Sequence, residues 1–334
     1  IKVERDALVK LVTEKSCNCT SGVKEDAVSN IINDLKSVMH PIRKDNFVAA
    51  RKIMRNVCGD CKKKESLRDD LQVWLKRNRA DSFQRYNTYL LNDTPSSALK
   101  VNPVDPVYKD DSPEVPGREI LRDNYDVLFE KNPRLVTFGE DAGKIGGVNQ
   151  SFEGLQNKYG KLRISDTGIR EATILGQGVG LALRGLRPIA EIQYLDYLLY
   201  AIQGLSDDVS STHYRTAGSM VVPVIVSTRG HRLEGIWHSG SPIGMLINSV
   251  RGMHVCVPRD MTRAAGFYNL LLDADDPAIV IEPLNGYRQK EKRPENMGEF
   301  KLELGVPEII SEGSDITVVS YGSTLKVAMH AVEQ

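Results

Sequence analysis

The protein has 334 residues, of which 41% are hydrophobic and 26% charged, and these fractions are typical of globular proteins rather than of disordered or fibrous chains. Forty-four Lys and Arg balance forty-four Asp and Glu, so the overall charge does not indicate a nucleic-acid partner. No run of about 18 uncharged apolar residues is present, and the first residues lack the pattern of a signal peptide. We therefore expect no membrane span and a cytoplasmic location.

Charge is unevenly distributed along the chain, and the length allows about two domains at roughly 150 residues each. Residues 1–110 contain 21 basic and 15 acidic side chains, whereas residues 111–334 contain 23 and 29. The two parts are therefore predicted to be different modules. Because the sequence begins with Ile1 rather than Met, we expect it to be a fragment of a longer chain.

The first module shows helical periodicity but no residues that indicate chemistry. Apolar residues recur at helical spacing through residues 1–92, as in Leu8, Leu11 and Val12, which predicts a helical segment. Residues 93–117 contain five prolines among Ser and Asp. Proline cannot continue a helix, so this stretch is predicted to be an extended, proline-rich linker.

The five cysteines allow two interpretations. An odd number in a chain of this length does not fit a disulfide scaffold and is typical of a reducing compartment. Four of them could supply thiolates to Zn²⁺, but the C-x-C spacing of one pair is poor and 38 residues separate the pairs. We favour free thiols and expect no metal site in this chain. The four are Cys17, Cys19, Cys58 and Cys61.

From about residue 118, short apolar runs alternate with helical stretches, which is the pattern of βαβ units. The predicted fold class is α/β, with a doubly wound, mainly parallel sheet that binds ligands at the carboxyl ends of its strands. A further strand at 316–320 and a helix near 325 predict that residues 301–334 are the truncated start of a C-terminal α/β domain. The predicted helices of the main domain are 118–130, 170–184, 196–212 and 260–273, and the predicted strands are 135–138, 188–194, 222–227, 253–257 and 278–282.

Three glycines lie inside the predicted helix 170–184, at Gly176, Gly178 and Gly180. A dinucleotide-binding loop needs its glycines at the start of a helix in a G-x-G-x-x-G register, and neither condition is met. Small residues one helical turn apart instead favour close packing of another helix, which we interpret as a candidate subunit interface.

Glu171 lies in the first turn of that helix, directly after the predicted strand and turn at 163–168. A carboxylate at this position complements the positive end of the helix dipole, which is the ordinary explanation for such a residue. A functional role requires polar companions at a neighbouring strand end. The sequence provides them at 191–197, where a strand runs into Gln193, Tyr194 and Tyr197.

Five short motifs follow one another along the chain: Phe138-Gly139-Glu140-Asp141, Tyr159-Gly160, Arg170-Glu171-Ala172, residues 185–193, and Trp237-His238-Ser239. In order and spacing they resemble the β subunit, or β half, of thiamine-diphosphate-dependent 2-oxo acid dehydrogenase E1 components. The resemblance covers residues 118–300 and implies a transketolase-like pyrimidine-binding domain with the thiamine-diphosphate-binding fold.

The resemblance also implies a cofactor site. Thiamine diphosphate reacts through C2 of its thiazolium ring, and a carboxylate hydrogen-bonded to N1′ of the aminopyrimidine promotes removal of the C2 proton. Glu171 matches that carboxylate. Tyr197 matches the aromatic residue that stacks on the aminopyrimidine, and Gln193 and Ile169 match pocket positions near the cofactor.

His238 matches the active-site histidine of the family, whose titration range suits the handling of a 2-oxo acid or the transfer of an acyl group to lipoamide. The implied enzyme is an oxidoreductase that decarboxylates a 2-oxo acid and passes the acyl group to the lipoyl carrier of E2. The residues leave open whether that substrate is pyruvate or a branched-chain 2-oxo acid.

Half of the implied site is absent from this sequence. The family holds Mg²⁺ and the diphosphate with a Gly-Asp-Gly…Asn-Asn motif on a partner domain, and no Gly-Asp-Gly occurs here. The resemblance therefore implies an α-type E1 half as partner and an isolated chain that is inactive; we also expect a homodimer. Two alternatives stay open: another transketolase-superfamily enzyme, such as a transketolase or a deoxyxylulose-phosphate synthase, and a non-catalytic assembly module.

Overall fold

The computed structural model describes residues 1–15, 23–57, 62–231 and 240–333. These residues form two compact units, Ile1–Thr88 and Tyr89–Gln334. The first unit is helical and buries a small apolar core that includes Leu8, Ile53 and Leu71. Its helices are α1 Lys2–Glu14, α2 Val23–Ser37, α3 Arg43–Asn56 and α4 Lys62–Asn87. The cysteines considered for a zinc site, Cys17, Cys19, Cys58 and Cys61, lie outside the described residues.

The second unit is an α/β domain in which strands and helices alternate. Its strands are β1 Glu114–Pro116, β2 Leu135–Gly139, β3 Ile164–Asp166, β4 Arg187–Glu191, β5 Ile225–Gly230, β6 His254–Cys256, β7 Ala278–Pro283 and β8 Lys290–Lys292. Its helices are α5 Gly117–Lys131, α6 Leu155–Tyr159, α7 Glu171–Leu183, α8 Ile202–Gly204, α9 Thr212–Arg215, α10 Ile243–Ser249, α11 Met261–Leu272 and α12 Thr324–Glu333.

Six of the strands form one sheet in the order β3-β2-β4-β5-β7-β6, and every neighbouring pair is parallel. The chain first adds β3 on one side of β2 and then places β4 on the other side. The strand order therefore reverses at β2, and the carboxyl ends of β2 and β4 flank the reversal. A separate antiparallel pair joins β1 to β8.

Alternate residues of each strand pack against opposite faces of the sheet. In β7, Ala278 and Val280 belong to the core under α5 and α11, whereas Ile279 and Ile281 belong to the core under α7 and α10. Because both faces are covered by helices and all six strands are parallel, the predicted doubly wound α/β fold is confirmed.

Three predicted elements differ in detail from the structure. The strand predicted at 188–194 runs from Arg187 and ends at Glu191. The helix predicted at 196–212 is a series of short helical segments that includes a π turn at Leu205–Val209. Its irregularity has a local cause: the Ser210 hydroxyl donates to the Leu205 carbonyl at 2.7 Å, and such side-chain bonds compete with the regular helical ladder. The strand predicted at 222–227 instead runs from Ile225 to Gly230, in register with β7 as far as Pro283.

Residues 93–117 are bound along the α/β unit. The Asp276 carboxylate accepts hydrogen bonds from the backbone amides of Asn92, at 3.2 Å, and Ala98, at 2.6 Å. Further along, Val104 forms a β-bridge with Lys301. The proline-rich stretch thus belongs to the second compact unit, whose boundary lies at residue 89.

The strand predicted at 316–320 does not form, so that prediction is wrong. A strand requires a neighbour for its backbone hydrogen bonds, and no other described segment pairs with these residues, which are largely exposed. The helix predicted near residue 325 is present as α12. Among the described residues, no helix has the length and apolar character needed to cross a membrane.

Asn124 on α5 and Asn269 on α11 form a buried amide pair with hydrogen bonds of 2.8 and 3.1 Å. The Asn124 oxygen also accepts the backbone N–H of Gly298, and Asn269 donates to the Phe300 carbonyl, both at 2.8 Å. The pair thus joins two helices to the chain that follows β8.

Replacing Asn124 with Leu leaves the Asn269 amide and the Gly298 N–H partly unpaired. We expect the free energy of unfolding, measured by urea denaturation, to fall by about 2–4 kcal/mol. Asn157→Leu, on the exposed surface of α6, is the control and should stay within about 0.5 kcal/mol of the wild type. Equal effects of the two substitutions would contradict the role of the pair.

Candidate functional site

The reversal of strand order places two polar segments next to each other. Glu140 and Asp141 follow β2, and Gln193 follows β4 by two residues. The Gln193 amide donates to the Asp141 carboxylate at 2.5 Å (Nε2 to Oδ2), so a side-chain hydrogen bond spans the gap between the two strand ends. In open parallel sheets, ligands bind in the crevice at this point, which makes the β2–β4 edge the candidate site.

Glu171 is the first residue of α7, the helix that follows β3 and precedes β4, so it lies at the same carboxyl edge of the sheet. The residue is only 6% exposed, and its carboxylate accepts no hydrogen bond from any residue of the described ranges. The helix dipole stabilises the negative charge. A mostly buried residue whose carboxylate keeps unused acceptor capacity is suited to receive a donor from a ligand.

The electrostatics of the site link Glu171 to two further residues. Burial raises the pKa of the Glu140 carboxyl, and repulsion from Glu171, Asp141 and Glu191 raises it further. Burial also raises the pKa of the Tyr197 phenol, with contributions from Tyr194, Glu140, Asp196 and Glu171. The charge of Glu171 thus contributes to the raised pKa of both Glu140 and Tyr197.

The ring of Tyr197 packs edge-on against Tyr194, with centroids 5.9 Å apart and planes at 89°. Edge-to-face packing is a favoured aromatic arrangement, and it orients the Tyr197 ring at the mouth of the candidate site. Tyr197 is half-buried, so part of its surface is accessible to a ligand.

The structure places Glu171, Gln193 and Tyr197, three of the residues chosen from the sequence, at the same carboxyl edge of the sheet. Ile169 lies two residues before Glu171 and is 75% exposed. His238 lies outside the described residues. Neighbouring His231 is buried, stacks on Tyr321 at 5.1 Å and contacts the Ser241 hydroxyl through Nδ1 at 3.1 Å.

Sequence reasoning missed a buried charge network directly behind the site. Glu191, Arg229 and Glu282 lie at or next to the carboxyl ends of β4, β5 and β7, and all three are fully buried. The available signal was a charged residue at the end of each of three apolar runs. Within the described ranges, no group of His, Cys, Asp and Glu residues is arranged to hold a metal ion.

Comparison with known proteins identifies the fold. Residues 114–290, just over half of the chain, match the family described as "Transketolase, pyrimidine binding domain". The chain belongs to this family. The transketolase pyrimidine-binding domain thus contains every described residue of the candidate site, from Glu140 to Tyr197, and the resemblance stated from the sequence motifs is confirmed.

Curated relatives of this pyrimidine-binding domain include the pyruvate dehydrogenase E1 component subunit beta of Acholeplasma laidlawii, 33% identical over 217 residues, which are 64% of this chain and 66% of the relative. The 2-oxoisovalerate dehydrogenase subunit beta of Pseudomonas aeruginosa is 34% identical over 233 residues, 65% of this chain and 66% of the relative. The chain thus spans slightly less than two thirds of these relatives.

Among solved structures, one titled "Split gene transketolase, inactive beta4 tetramer" superposes with a TM-score of 0.52 at 19% identity, covering 66% of this chain and 67% of that chain. At this identity the similarity supports the fold.

The raised pKa of Glu140 predicts a pH dependence of stability. Because the folded state favours the protonated form, stability contributed by this carboxyl is present at low pH and is lost as pH rises from its ordinary pKa through the raised value. Glu140→Gln removes that loss, so the variant should become more stable than the wild type as pH rises above the acid range. Urea denaturation at a series of pH values measures this difference.

Glu299 provides a control of opposite sign. Its hydrogen bond with Lys131 lowers the pKa of the carboxyl, so its contribution to stability is present above the ordinary pKa and is lost as pH falls. Glu299→Gln should therefore give a variant that is less stable than the wild type at neutral pH and equal to it in strong acid. The same sign for both variants would refute this electrostatic description of Glu140.

Proposed function

We propose that this chain is the aminopyrimidine-binding part of a thiamine-diphosphate-dependent 2-oxo acid dehydrogenase E1. The whole enzyme would decarboxylate a 2-oxo acid and transfer the acyl group to lipoamide of E2. The observation that carries the proposal is Glu171, a residue only 6% exposed whose carboxylate has no protein donor in the described ranges and which begins α7 at the carboxyl edge of the sheet, where the strand order reverses.

The residues present fit the pyrimidine end of the cofactor. Glu171 would accept a hydrogen bond from N1′ when that nitrogen is protonated, and the accessible part of the Tyr197 ring would contact the flat aminopyrimidine. Gln193, held by its bond to Asp141, would line the pocket, and the exposed Ile169 would be covered by cofactor or partner.

When bound, thiamine diphosphate supplies an acidic thiazolium carbon that reacts with the carbonyl group of the substrate. The task of this chain is to bind and orient the aminopyrimidine. The Glu171 carboxylate would place its negative charge beside N1′, so that the exocyclic nitrogen can act as a base. Repulsion among Glu140, Asp141 and Glu171 is relieved by a cationic ligand, and this favours a cofactor that carries a positive ring.

The diphosphate end requires residues from elsewhere. We propose that an α-type E1 half supplies the Mg²⁺ and diphosphate site, that a lipoyl E2 accepts the acyl group, and that the chain alone is inactive. The chain is almost equally similar to a pyruvate dehydrogenase subunit and to a 2-oxoisovalerate dehydrogenase subunit. The substrate is therefore proposed only as a 2-oxo acid. A cytoplasmic location and His238 as an active-site histidine belong to the same proposal.

Glu171→Gln tests the proposed role of the carboxylate. In the complex with the α-type half, we expect both turnover and deuterium exchange at C2 of bound thiamine diphosphate to fall by at least about a hundred-fold, because a neutral amide cannot hold the charge at N1′. Proton NMR after acid quench measures the exchange, and reduction of lipoamide by a 2-oxo acid measures turnover.

Glu119→Gln is the matched control, since Glu119 is also an acidic residue in the first turn of a helix, α5. It should leave C2 exchange unchanged. If Glu171→Gln also retains normal exchange, the assignment of Glu171 is wrong. If the complex instead transfers carbon units between sugar phosphates, it is a transketolase-type enzyme, and if it binds no thiamine diphosphate, the chain is an assembly module.

A homodimer is proposed from the exposed face of α7. A side chain built at Gly176 or Gly180 would meet no described atom within 4 Å, whereas one at Gly178 would meet Val224 and Ala190. A groove of about 290 Å³ is lined by Gly176 together with Ala172 and Val179. Small residues one turn apart allow two helices to approach closely, and a second copy of α7 would fit this face.

Gly176→Leu combined with Gly180→Leu should convert the dimer to a monomer, because the added side chains would occupy the space of the partner helix. Analytical ultracentrifugation measures the change. Gly244→Leu places the same side chain on another open helical glycine, on α10, and should leave the dimer intact. If the complex of the wild-type chain with its α-type partner contains only one copy of this chain, the proposed dimer is wrong.

A further inference from the structure

Arg229 on β5 has no exposed surface, and its guanidinium is divided among three acceptors. Nη2 donates to the carboxylate of Glu191, which is equally buried. Nη1 donates to the backbone carbonyl of Gln193 at 3.3 Å, and Nε donates to the hydroxyl of Tyr287 at 2.8 Å. The planar fork of arginine can reach three directions at once, which a lysine ammonium on its flexible stem cannot reproduce.

A second buried carboxylate keeps Arg229 charged. Glu282 is the register neighbour of Arg229 across β5 and β7, and it accepts hydrogen bonds from Tyr268 at 2.6 Å and Ser227 at 3.2 Å. Burial alone would lower the pKa of Arg229, but the charges of Glu191 and Glu282 raise it. Burial raises the pKa of Glu282, and Arg229 opposes that shift.

Glu191 connects Arg229 to the chain that leaves β2. A Cβ added at Gly139 would lie 2.7 Å from both Cβ and Oε2 of Glu191, so the Glu191 side chain fills the space beside Gly139. Glu140 and Asp141 follow directly. The Glu191–Arg229 pair therefore touches the backbone on both sides of the β2–β4 gap, at Gly139 and at Gln193.

A buried ion pair is a weak source of stability, since apolar residues of similar size often serve as well. Here the pair lies directly behind the segment 192–197, which carries both Gln193 and Tyr197. The bond from Arg229 to the Gln193 carbonyl is a direct contact with that segment. These observations favour a role for the pair in the geometry of the site.

We propose that Arg229 is a positioning residue for the cofactor site: by holding Glu191 and the Gln193 carbonyl together, it fixes the segment that presents Gln193 and Tyr197 to the aminopyrimidine. This inference rests on the proposed function. It assigns no chemical step to Arg229, because Glu171 is carried by α7 and receives no contact from Arg229.

Arg229→Lys in the complex with the α-type half tests the proposal. We expect the dissociation constant of thiamine diphosphate, measured by calorimetric titration, to rise about ten-fold, equivalent to about 1.4 kcal/mol. Deuterium exchange at C2 of the bound cofactor, measured at saturation, should stay within about three-fold of the wild type, since Glu171 is unaffected. A purely structural role would not separate these two quantities.

Arg187→Lys is the matched control. Arg187 is also a buried arginine, at the opposite end of β4, and donates to Asp275 at 2.9 Å and to the Leu271 carbonyl at 2.9 Å. Arg187→Lys should lower the urea concentration at the midpoint of unfolding, as Arg229→Lys does, but it should leave the affinity for thiamine diphosphate unchanged. If Arg229→Lys does not fold, the double variant Glu191→Leu with Arg229→Met, which replaces the pair by apolar residues, should show the same ten-fold loss of affinity.

Unchanged affinity in the folded Arg229 variants, or an equal loss in Arg187→Lys, would overturn the inference. A failure of the proposed function would give different results: the wild-type complex would bind no thiamine diphosphate, or Glu171→Gln would keep normal C2 exchange. Loss of affinity confined to the Arg229 variants, with C2 exchange retained at saturation, supports the positioning role.

Discussion

The reversal of strand order at β2 is the constraint on which the rest of the site depends. Since β3 and β4 lie on opposite sides of β2, the connection that follows β2 leads to one side of the sheet and the connection that follows β4 leads to the other. The divergence opens a crevice between the carboxyl ends of β2 and β4. Residues that are far apart in sequence, Asp141 and Gln193, are brought into hydrogen-bond contact there. The start of α7 delivers Glu171 to the same edge, so one topological feature assembles the whole described site.

Burying charged groups at this edge of the sheet costs free energy, and the hydrogen bonds and the arginine around them offset that cost. Three carboxylates, Glu140, Asp141 and Glu171, influence one another in front of the crevice, while Glu191 and Glu282 are fully buried behind it. A single arginine, Arg229, compensates the buried pair, and buried charges are tolerated when they are paired and hydrogen-bonded. Among the described residues, no basic side chain forms an ion pair with the front carboxylates, and only Asp141 is hydrogen-bonded by another side chain, that of Gln193, which leaves the group suited to a ligand with positive charge.

Sequence periodicity predicted the parallel sheet, because apolar runs of strand length between amphipathic helices leave few other arrangements. It also located Glu171, since a helix start after a strand must lie at the carboxyl edge. It could not locate Arg229, because the predicted strand ends at residue 227, whereas β5 continues to Gly230 through its pairing with β7. The strand predicted at 316–320 does not form because no neighbouring strand pairs with it among the described residues, and strand propensity alone does not produce a strand. Both errors concern pairing, which local sequence does not encode.

A crystal structure of this chain bound to the proposed α-type half and thiamine diphosphate would be the most direct test of Glu171 as the residue that binds the aminopyrimidine. We predict that N1′ of the aminopyrimidine lies within about 3 Å of a Glu171 carboxylate oxygen, with the ring against Tyr197 and the crevice between β2 and β4 filled. A cofactor bound elsewhere, or an aminopyrimidine whose N1′ contacts another residue while Glu171 faces water, would contradict the central claim.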